Sequence, residues 1–419
     1  MDIQTLYDIF QQHPTVTTDS RRCPEGSIFF ALKGASFDGN AYAASALEQG
    51  CAYAVVDNAA YAADDDRCIL VDDVLHTLQQ LARLHRRTLG TPVVGITGTN
   101  GKTTTKELTA AVLQRRFNLL YTQGNLNNHI GVPLTLLRLT AEHELAVVEM
   151  GASHPGDIRE LVDIAEPDYG LITNVGKAHL QGFGSFEGVV STKGELYDYL
   201  REHGGTAFVN PHNDILAGMA QGMQTIPYVD GTLTDCNPFL RLTLFGRDVA
   251  THLIGAYNMD NVLAAATVGR QFGVGEDDIC AALADYVPSN NRSQFVQTAD
   301  NRLVVDAYNA NPTSMMVALQ NFRQMAAPHK LCILGDMGEL GTASREEHQR
   351  IVDYLAGCDF EGVWLVGRNF ADARCPASFR HFDDVDAVKT HLTTDKPCGM
   401  TILVKGSNST RLYQLPEAL

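Results

Sequence analysis

The sequence predicts an α/β protein of three domains, each a mainly parallel sheet flanked by helices. Three observations predict it. Short apolar runs alternate with helix-period stretches along the chain, the pattern of βαβ units. One run feeds a glycine-rich loop that opens a helix. Two breaks, Leu89-Gly90-Thr91-Pro92 and Val287-Pro288-Ser289-Asn290, fall where glycine and proline stop helices. A chain of 419 residues, at roughly 150 per domain, holds two or three. The boundaries expected are 1–88, 89–287 and 288–419.

In order, the first segment carries strands at Ile28 to Leu32 and Tyr53 to Val56 with a helix-like stretch from Ala41 to Glu48 between them. A charged helical segment, Leu75 to Arg87, closes it. Val93 to Thr97 is the strand before the glycine-rich loop, and Leu108, Ala111 and Val112 mark one face of the helix after it. Strands follow at Leu145 to Met150, Gly170 to Asn174 and Ala207 to Asn210. The last segment adds Leu303 to Val305, Leu331 to Leu334, Val363 to Val366 and Thr401 to Val404, again with helices between.

Composition removes several classes. Hydrophobic residues are 45% and charged residues 19%, enough to bury several cores. The net charge of −17 repels nucleic-acid phosphates and anionic lipid, and no Lys/Arg run offsets it, so no nucleic-acid partner is expected. The nine cysteines form no C-x-x-C pair, which argues against a zinc knuckle, and their odd number suggests free thiols in a reducing compartment. The start, MDIQTLYDIF, lacks the basic-then-apolar order of a secretion signal. No apolar run nears the ~18 residues that span a bilayer. A cytoplasmic protein without membrane insertion is expected.

The sharpest chemical signal is Gly95-Ile96-Thr97-Gly98-Thr99-Asn100-Gly101-Lys102-Thr103-Thr104-Thr105. Glycines let backbone N–H groups approach a phosphate, and the helix N-terminus adds partial positive charge. Gly98, Thr99, Asn100, Gly101 and Thr104 would then cradle the phosphates, with Lys102 on the terminal ones and the Thr103 hydroxyl on Mg²⁺. The strict pattern has glycine where Ile96 stands. Glu149 ends an apolar run, placing a carboxylate at the carboxyl end of a strand, where α/β sheets bind ligands. One carboxylate, one hydroxyl and the phosphates suffice for Mg²⁺. His179 and Lys193 have no role on residue chemistry alone: a packed or surface histidine and a solvated helix lysine are the ordinary readings. A dehydrogenase is disfavoured, because Gly335-x-x-Gly338-x-x-Gly341 lacks the G-x-G-x-x-G spacing.

The phosphate loop, Gly124-Asn125-Leu126-Asn127-Asn128-His129-Ile130-Gly131-Val132-Pro133 and Glu149-Met150-Gly151-Ala152-Ser153 resemble the Mur ligases of peptidoglycan synthesis. So do Ala178-His179-Leu180-Gln181-Gly182, Lys193-Gly194-Glu195 and Asn258-Met259-Asp260-Asn261. Asp306-Ala307-Tyr308-Asn309-Ala310-Asn311-Pro312, Leu334-Gly335-Asp336-Met337-Gly338-Glu339-Leu340-Gly341 and Thr18-Asp19-Ser20-Arg21 are similar to the branch that joins D-alanyl-D-alanine to UDP-N-acetylmuramoyl-tripeptide. The resemblance implies a small N-terminal UDP-binding domain, a central P-loop ATP-binding domain and a C-terminal Rossmann-like domain, in an enzyme expected to be monomeric. It implies ATP and two Mg²⁺ ions, one on Thr103 and Glu149, the other on His179 and N6-carboxylysine at Lys193. Asn258 resembles an adenine contact, Asp306 a ribose contact and Arg292 an arginine reaching the ATP phosphates. Ser20, Arg21, Asn125, Asn309 and Asn311 are the implied substrate contacts. Tyr257 and Asn40 stand where the family often has histidine or a basic residue. A folylpolyglutamate-synthase-like enzyme, the nearest rival, would begin directly with the ATP domain.

Overall fold

The computed structural model describes residues 1–62, 65–289 and 292–419. The expected second break ends at residue 290, which with residue 291 lies outside the described residues. Three α/β units follow one another along the chain.

The first is a four-stranded parallel sheet in the order Val16–Thr17, Ile28–Phe30, Tyr53–Val56, Cys68–Leu70. Among the described residues three helices belong to it, of which Ala43–Glu48 packs on strands Tyr53–Val56 and Ile28–Phe30. Ile3–Gln12, which the sequence reading passed over, buries Leu6, Tyr7 and Phe10 and is capped by Asp2, whose carboxylate accepts from Thr5 N. Val74–Leu89 buries Val74, Leu78, Leu81, Ala82 and His85, an i, i+4, i+7, i+8, i+11 stripe, and stops at Gly90 in a left-handed conformation (φ +66°) that favours glycine. Its other neighbours are helices of the next unit, Gly131–Leu136 and Asp157–Ala165. One apolar core therefore runs unbroken from Phe10 through Leu78 and Leu81 to Leu136, Val148 and Leu161. Arg83 and Arg87 on Glu166, and Arg86 on Asp168, pin the same joint from outside.

The second unit is a six-stranded parallel sheet, Gln224–Pro227, Thr206–Val209, Tyr169–Ile172, Val93–Thr97, Leu145–Glu149, Leu119–Tyr121. Val93–Thr97 and Leu145–Glu149 are buried at every residue, as central strands covered on both faces must be. Helix Lys102–Leu113 lies between this sheet and helix Met259–Gln271, so its buried face is wider than one stripe and takes in Thr105, Lys106 and Thr109; Ala110, rather than the expected Ala111, joins Leu108 and Val112 in the core.

A three-stranded antiparallel sheet, Gly231–Cys236, Phe239–Leu244 and Arg247–Ile254, was not expected from the sequence. Phe239–Leu244 and Arg247–Ile254 alternate buried and solvated residues and Gly231–Cys236 is largely exposed, so no continuous apolar run marks them. The third unit is a six-stranded sheet in the order Gln294–Gln297, Arg302–Asp306, Thr401–Lys405, Lys330–Gly335, Gly362–Val366, Arg380–Phe382, parallel except for its first edge strand. Among the described residues no helix is long and apolar enough to cross a membrane.

Candidate active site

The phosphate loop leaves strand Val93–Thr97 at its carboxyl end and enters helix Lys102–Leu113. Its glycines are there for geometry. Gly98 has φ +140°, and a Cβ on it would overlap Thr173 Oγ1; Gly101 has φ +79°, and a Cβ there would press on Asn261 Oδ1. The loop is held from the next strand over: Thr99 N donates to Asn174 O at 2.9 Å, Asn100 N to Asn174 Oδ1 at 3.0 Å, and Thr173 Oγ1 to Asn100 O at 2.6 Å. Lys102 folds back over it, donating to Gly98 O at 2.7 Å and Thr99 O at 3.2 Å. Loss of water lowers its pKa to about 8; Glu149 pulls it up and Arg292 pushes it down.

Glu149, at the end of the neighbouring strand, is 1% exposed. Its Oε1 accepts from Thr103 Oγ1 at 3.2 Å and from Asn127 Nδ2 at 2.8 Å, and its backbone N donates to Thr122 Oγ1 at 2.9 Å. Its Oε2 is buried without a hydrogen-bond partner among the described residues. A buried carboxylate oxygen left unpaired beside a hydroxyl and a phosphate loop fits a Mg²⁺ ligand, since a bound cation would satisfy it.

Lys193 stands on helix Phe186–His203 and is 2% exposed. Its Nζ reaches Ala152 O at 3.4 Å and lies 5.2 Å from the centre of the Phe183 ring. Burial, then the charge of Lys102, pushes its pKa well below that of a free lysine, while Asp157 and Glu195 act the other way. That shift favours the uncharged amine, the form that reacts with CO₂, so the setting fits the carbamate. His179 sits in a left-handed turn (φ +49°) just before helix Leu180–Phe183, its Nδ1 against the carboxylate of Glu339 from the third unit.

The third unit faces the loop across a cleft of about 900 Å³. Thr99, Asn100, Gly101, Lys102, Thr104, Asn125, Glu149, His179, Asn258, Arg292, Asp306 and Asn309 line it; Gly98, Thr103, Lys193 and Asn311 are not in the lining. Asn258 is buried with both amide groups used, Nδ2 on Ile254 O and Oδ1 accepting from Asn261 Nδ2, each at 2.8 Å. Arg292 lies over the Tyr308 ring at 4.1 Å. Asp306, at a strand end, pairs with Lys405, which is 1% exposed and also donates to Asn309 O at 3.2 Å. Asn311 caps helix Pro312–Gln324, its Oδ1 accepting from Ser314 N at 2.8 Å, while its Nδ2 donates to Asn100 Oδ1 across the cleft at 2.8 Å. Its side chain is thus occupied in holding the two units together.

Ser20 and Arg21 are not in this lining. They follow strand Val16–Thr17 in the first unit, where Arg21 is 86% exposed and paired with Asp19 at 2.8 Å. Sequence reasoning gave no role to Asn127, Asn261 and Glu339. All three stood inside quoted motifs, which carried no signal of the contacts each would make.

Fold and cleft together define a three-domain α/β enzyme with a phosphate loop facing its last domain. Residues 14–86, 96–269 and 291–408 match in turn the Mur ligase family catalytic domain, the Mur ligase middle domain and the Mur ligase glutamate ligase domain. The chain belongs to the Mur ligase family. It is 36% identical to the UDP-N-acetylmuramoyl-tripeptide–D-alanyl-D-alanine ligase of Escherichia coli (strain K12), over 96% of this chain and 93% of that one. Among solved structures it is similar to MurF from Acinetobacter baumannii, with a TM-score of 0.85 and 31% identity over 96% and 92% of the two chains. It is equally similar in fold to MurF ligase from Thermotoga maritima in complex with ADP, with a TM-score of 0.85 and 27% identity over 98% and 97%.

Proposed function

We propose that this enzyme joins D-alanyl-D-alanine to UDP-N-acetylmuramoyl-tripeptide at the expense of ATP, through an acyl phosphate. The observation that carries this reading is the shared cleft: phosphate loop and Glu149 on one wall, Arg292 and Asp306 on the other, Asn125 between. In domain terms, 1–88 would bind the UDP end of the substrate with Ser20 and Arg21, 89–287 would bind ATP, and 288–419 would close over it.

Joining a carboxylate to an amine needs activation. The γ-phosphoryl group would pass from ATP to the terminal carboxylate of the tripeptide, giving the acyl phosphate and ADP. The amine of D-alanyl-D-alanine then attacks the acyl carbon, and phosphate leaves from the tetrahedral intermediate. The amides of 98–104 and Lys102 would hold the phosphates, Arg292 would meet them from the third domain, Asp306 would take the ribose and Asn258 the adenine. Asn309 and Asn311 would border the dipeptide. Thr103 and Glu149 would hold one Mg²⁺, His179 and carboxylated Lys193 a second; both ions would neutralise charge on the transferring group. Acyl phosphates hydrolyse readily, so closure of the third domain also keeps water out.

The test is ADP release from ATP, Mg²⁺ and the UDP-linked tripeptide, with and without D-alanyl-D-alanine. Release that requires the dipeptide is expected. Release that requires a different amine would overturn the substrate assignment and leave the fold untouched.

A further inference from the structure

Glu339 belongs to the loop between strand Lys330–Gly335 and helix Ser344–Ala356, outside the residues assigned a role above. The loop is fixed at its base: Met337 N donates to His348 Nε2 at 3.0 Å, and Ser407 Oγ to Asp336 O at 2.7 Å. From there residue 339 reaches the central domain twice. Its carboxylate lies against His179 Nδ1, and its backbone oxygen accepts from Gln181 N at 3.2 Å. Gly341 comes close enough that an added Cβ would meet Gln181 Cβ at 3.3 Å. Both partners hold positive φ, +49° at His179 and +60° at Glu339, a conformation that costs non-glycine residues energy and persists where the surroundings impose it.

We propose that Glu339 is the positioning residue for His179, and that it acts only when the third domain is closed. A carboxylate that accepts the Nδ1 proton fixes the imidazole tautomer and orientation and leaves the Nε2 lone pair for a metal ion. Because the carboxylate and the imidazole come from different domains, completing the second metal position and closing the cleft are one event. This rests on the metal role proposed for His179.

The test counts Mn²⁺, in place of Mg²⁺, by electron paramagnetic resonance, with the UDP-linked tripeptide and a non-hydrolysable ATP analogue bound. Glu339 is 63% exposed, so Glu339→Gln leaves the fold alone. Wild type is expected to take up two ions. Glu339→Gln should hold the first unchanged and the second about tenfold more weakly or worse, the usual cost of losing such a partner. In turnover, kcat at fixed Mg²⁺ falls while KM for ATP stays put. His179→Ala should lose the second ion. If His179→Ala loses it and Glu339→Gln keeps wild-type affinity, or binds more tightly, the role of Glu339 is overturned and that of His179 stands. A wild type that takes up one ion, or a His179→Ala that keeps both, overturns both.

Discussion

Lys193 illustrates what a single residue's setting adds to its identity. On a helix, with charged neighbours Glu195 and Asp198, it reads in sequence as a solvated lysine; only its burial beside Phe183 and Ala152 favours the uncharged amine that the proposed carbamate needs. Lys193→Ala is expected to abolish ligation, and bicarbonate should not restore it; a fully active variant would sink the carbamate. Gly98 makes a second prediction. Alanine there must adopt φ +140° and displace Thr173 Oγ1, which ties the loop to its neighbour, so Gly98→Ala should raise KM for ATP tenfold or more with a near wild-type circular-dichroism spectrum. Gly98, Lys102, Thr103 and Glu149 could be placed together from sequence because a fixed spacing and a strand end bring them there. Asn261, Asn127 and Glu339 could not, because their contacts depend on which helices and domains meet, and no local pattern encodes that.

At the scale of elements, the strands were legible wherever both faces are covered and the run is apolar throughout, as in Val93–Thr97 and Tyr53–Val56. The antiparallel sheet of 231–254 was not, because a half-solvated strand gives alternation instead. Helix Val74–Leu89 was legible as a helix, but its function as the joint between the first two domains was not. His85 sits at that joint, its Nδ1 3.2 Å from Tyr7 Oη and its Nε2 2.9 Å from Leu139 O. Burial lowers its pKa below the ordinary value of about 6.5. The unfolded chain therefore binds a proton that the folded one refuses, and this contribution to stability is present above about pH 6.5 and lost as pH falls through the depressed pKa. Melting temperature should fall from pH 7 to pH 5 less steeply in His85→Gln than in wild type; equal slopes would refute the assignment. In the central domain, Leu196 underlies the sheet where Gly95 and Gly170 leave room for it, their added Cβ atoms falling 3.4 and 3.1 Å from Leu196 Cδ1. Leu196→Ala should cost about 2–5 kcal/mol in denaturant unfolding.

The whole molecule is joined unequally. Between the first and second domains the apolar core is continuous, so those two should move as one body. Between the second and third, Ile254 and Phe239 of the antiparallel sheet join the third domain's apolar core, while around the cleft the contacts are polar: Asn311 to Asn100, Lys177 N to Thr313 Oγ1 at 3.1 Å, Glu339 to the 179–181 turn, and Lys177 Nζ to Glu347 Oε1 at 2.8 Å. Polar contacts of this kind exchange readily for water, so the third domain is expected to be the part that swings. Lys177 tests this away from the chemistry. Its partner Glu347 has a side chain only 6% exposed, while Lys177 itself is 46% exposed, so the pair is screened and contributes on the order of 0.2–1 kcal/mol. Lys177→Met should shift the balance toward the open form by that amount. Since apparent affinity scales with the fraction of molecules able to bind, KM for ATP should rise by up to about fivefold. Because saturating nucleotide restores closure, kcat should change little. Small-angle X-ray scattering supplies the independent readout: without nucleotide the variant's radius of gyration should exceed that of wild type, and with the ATP analogue and tripeptide bound the two should coincide. An unchanged radius together with an unchanged KM would mean that this ion pair does not hold the cleft closed.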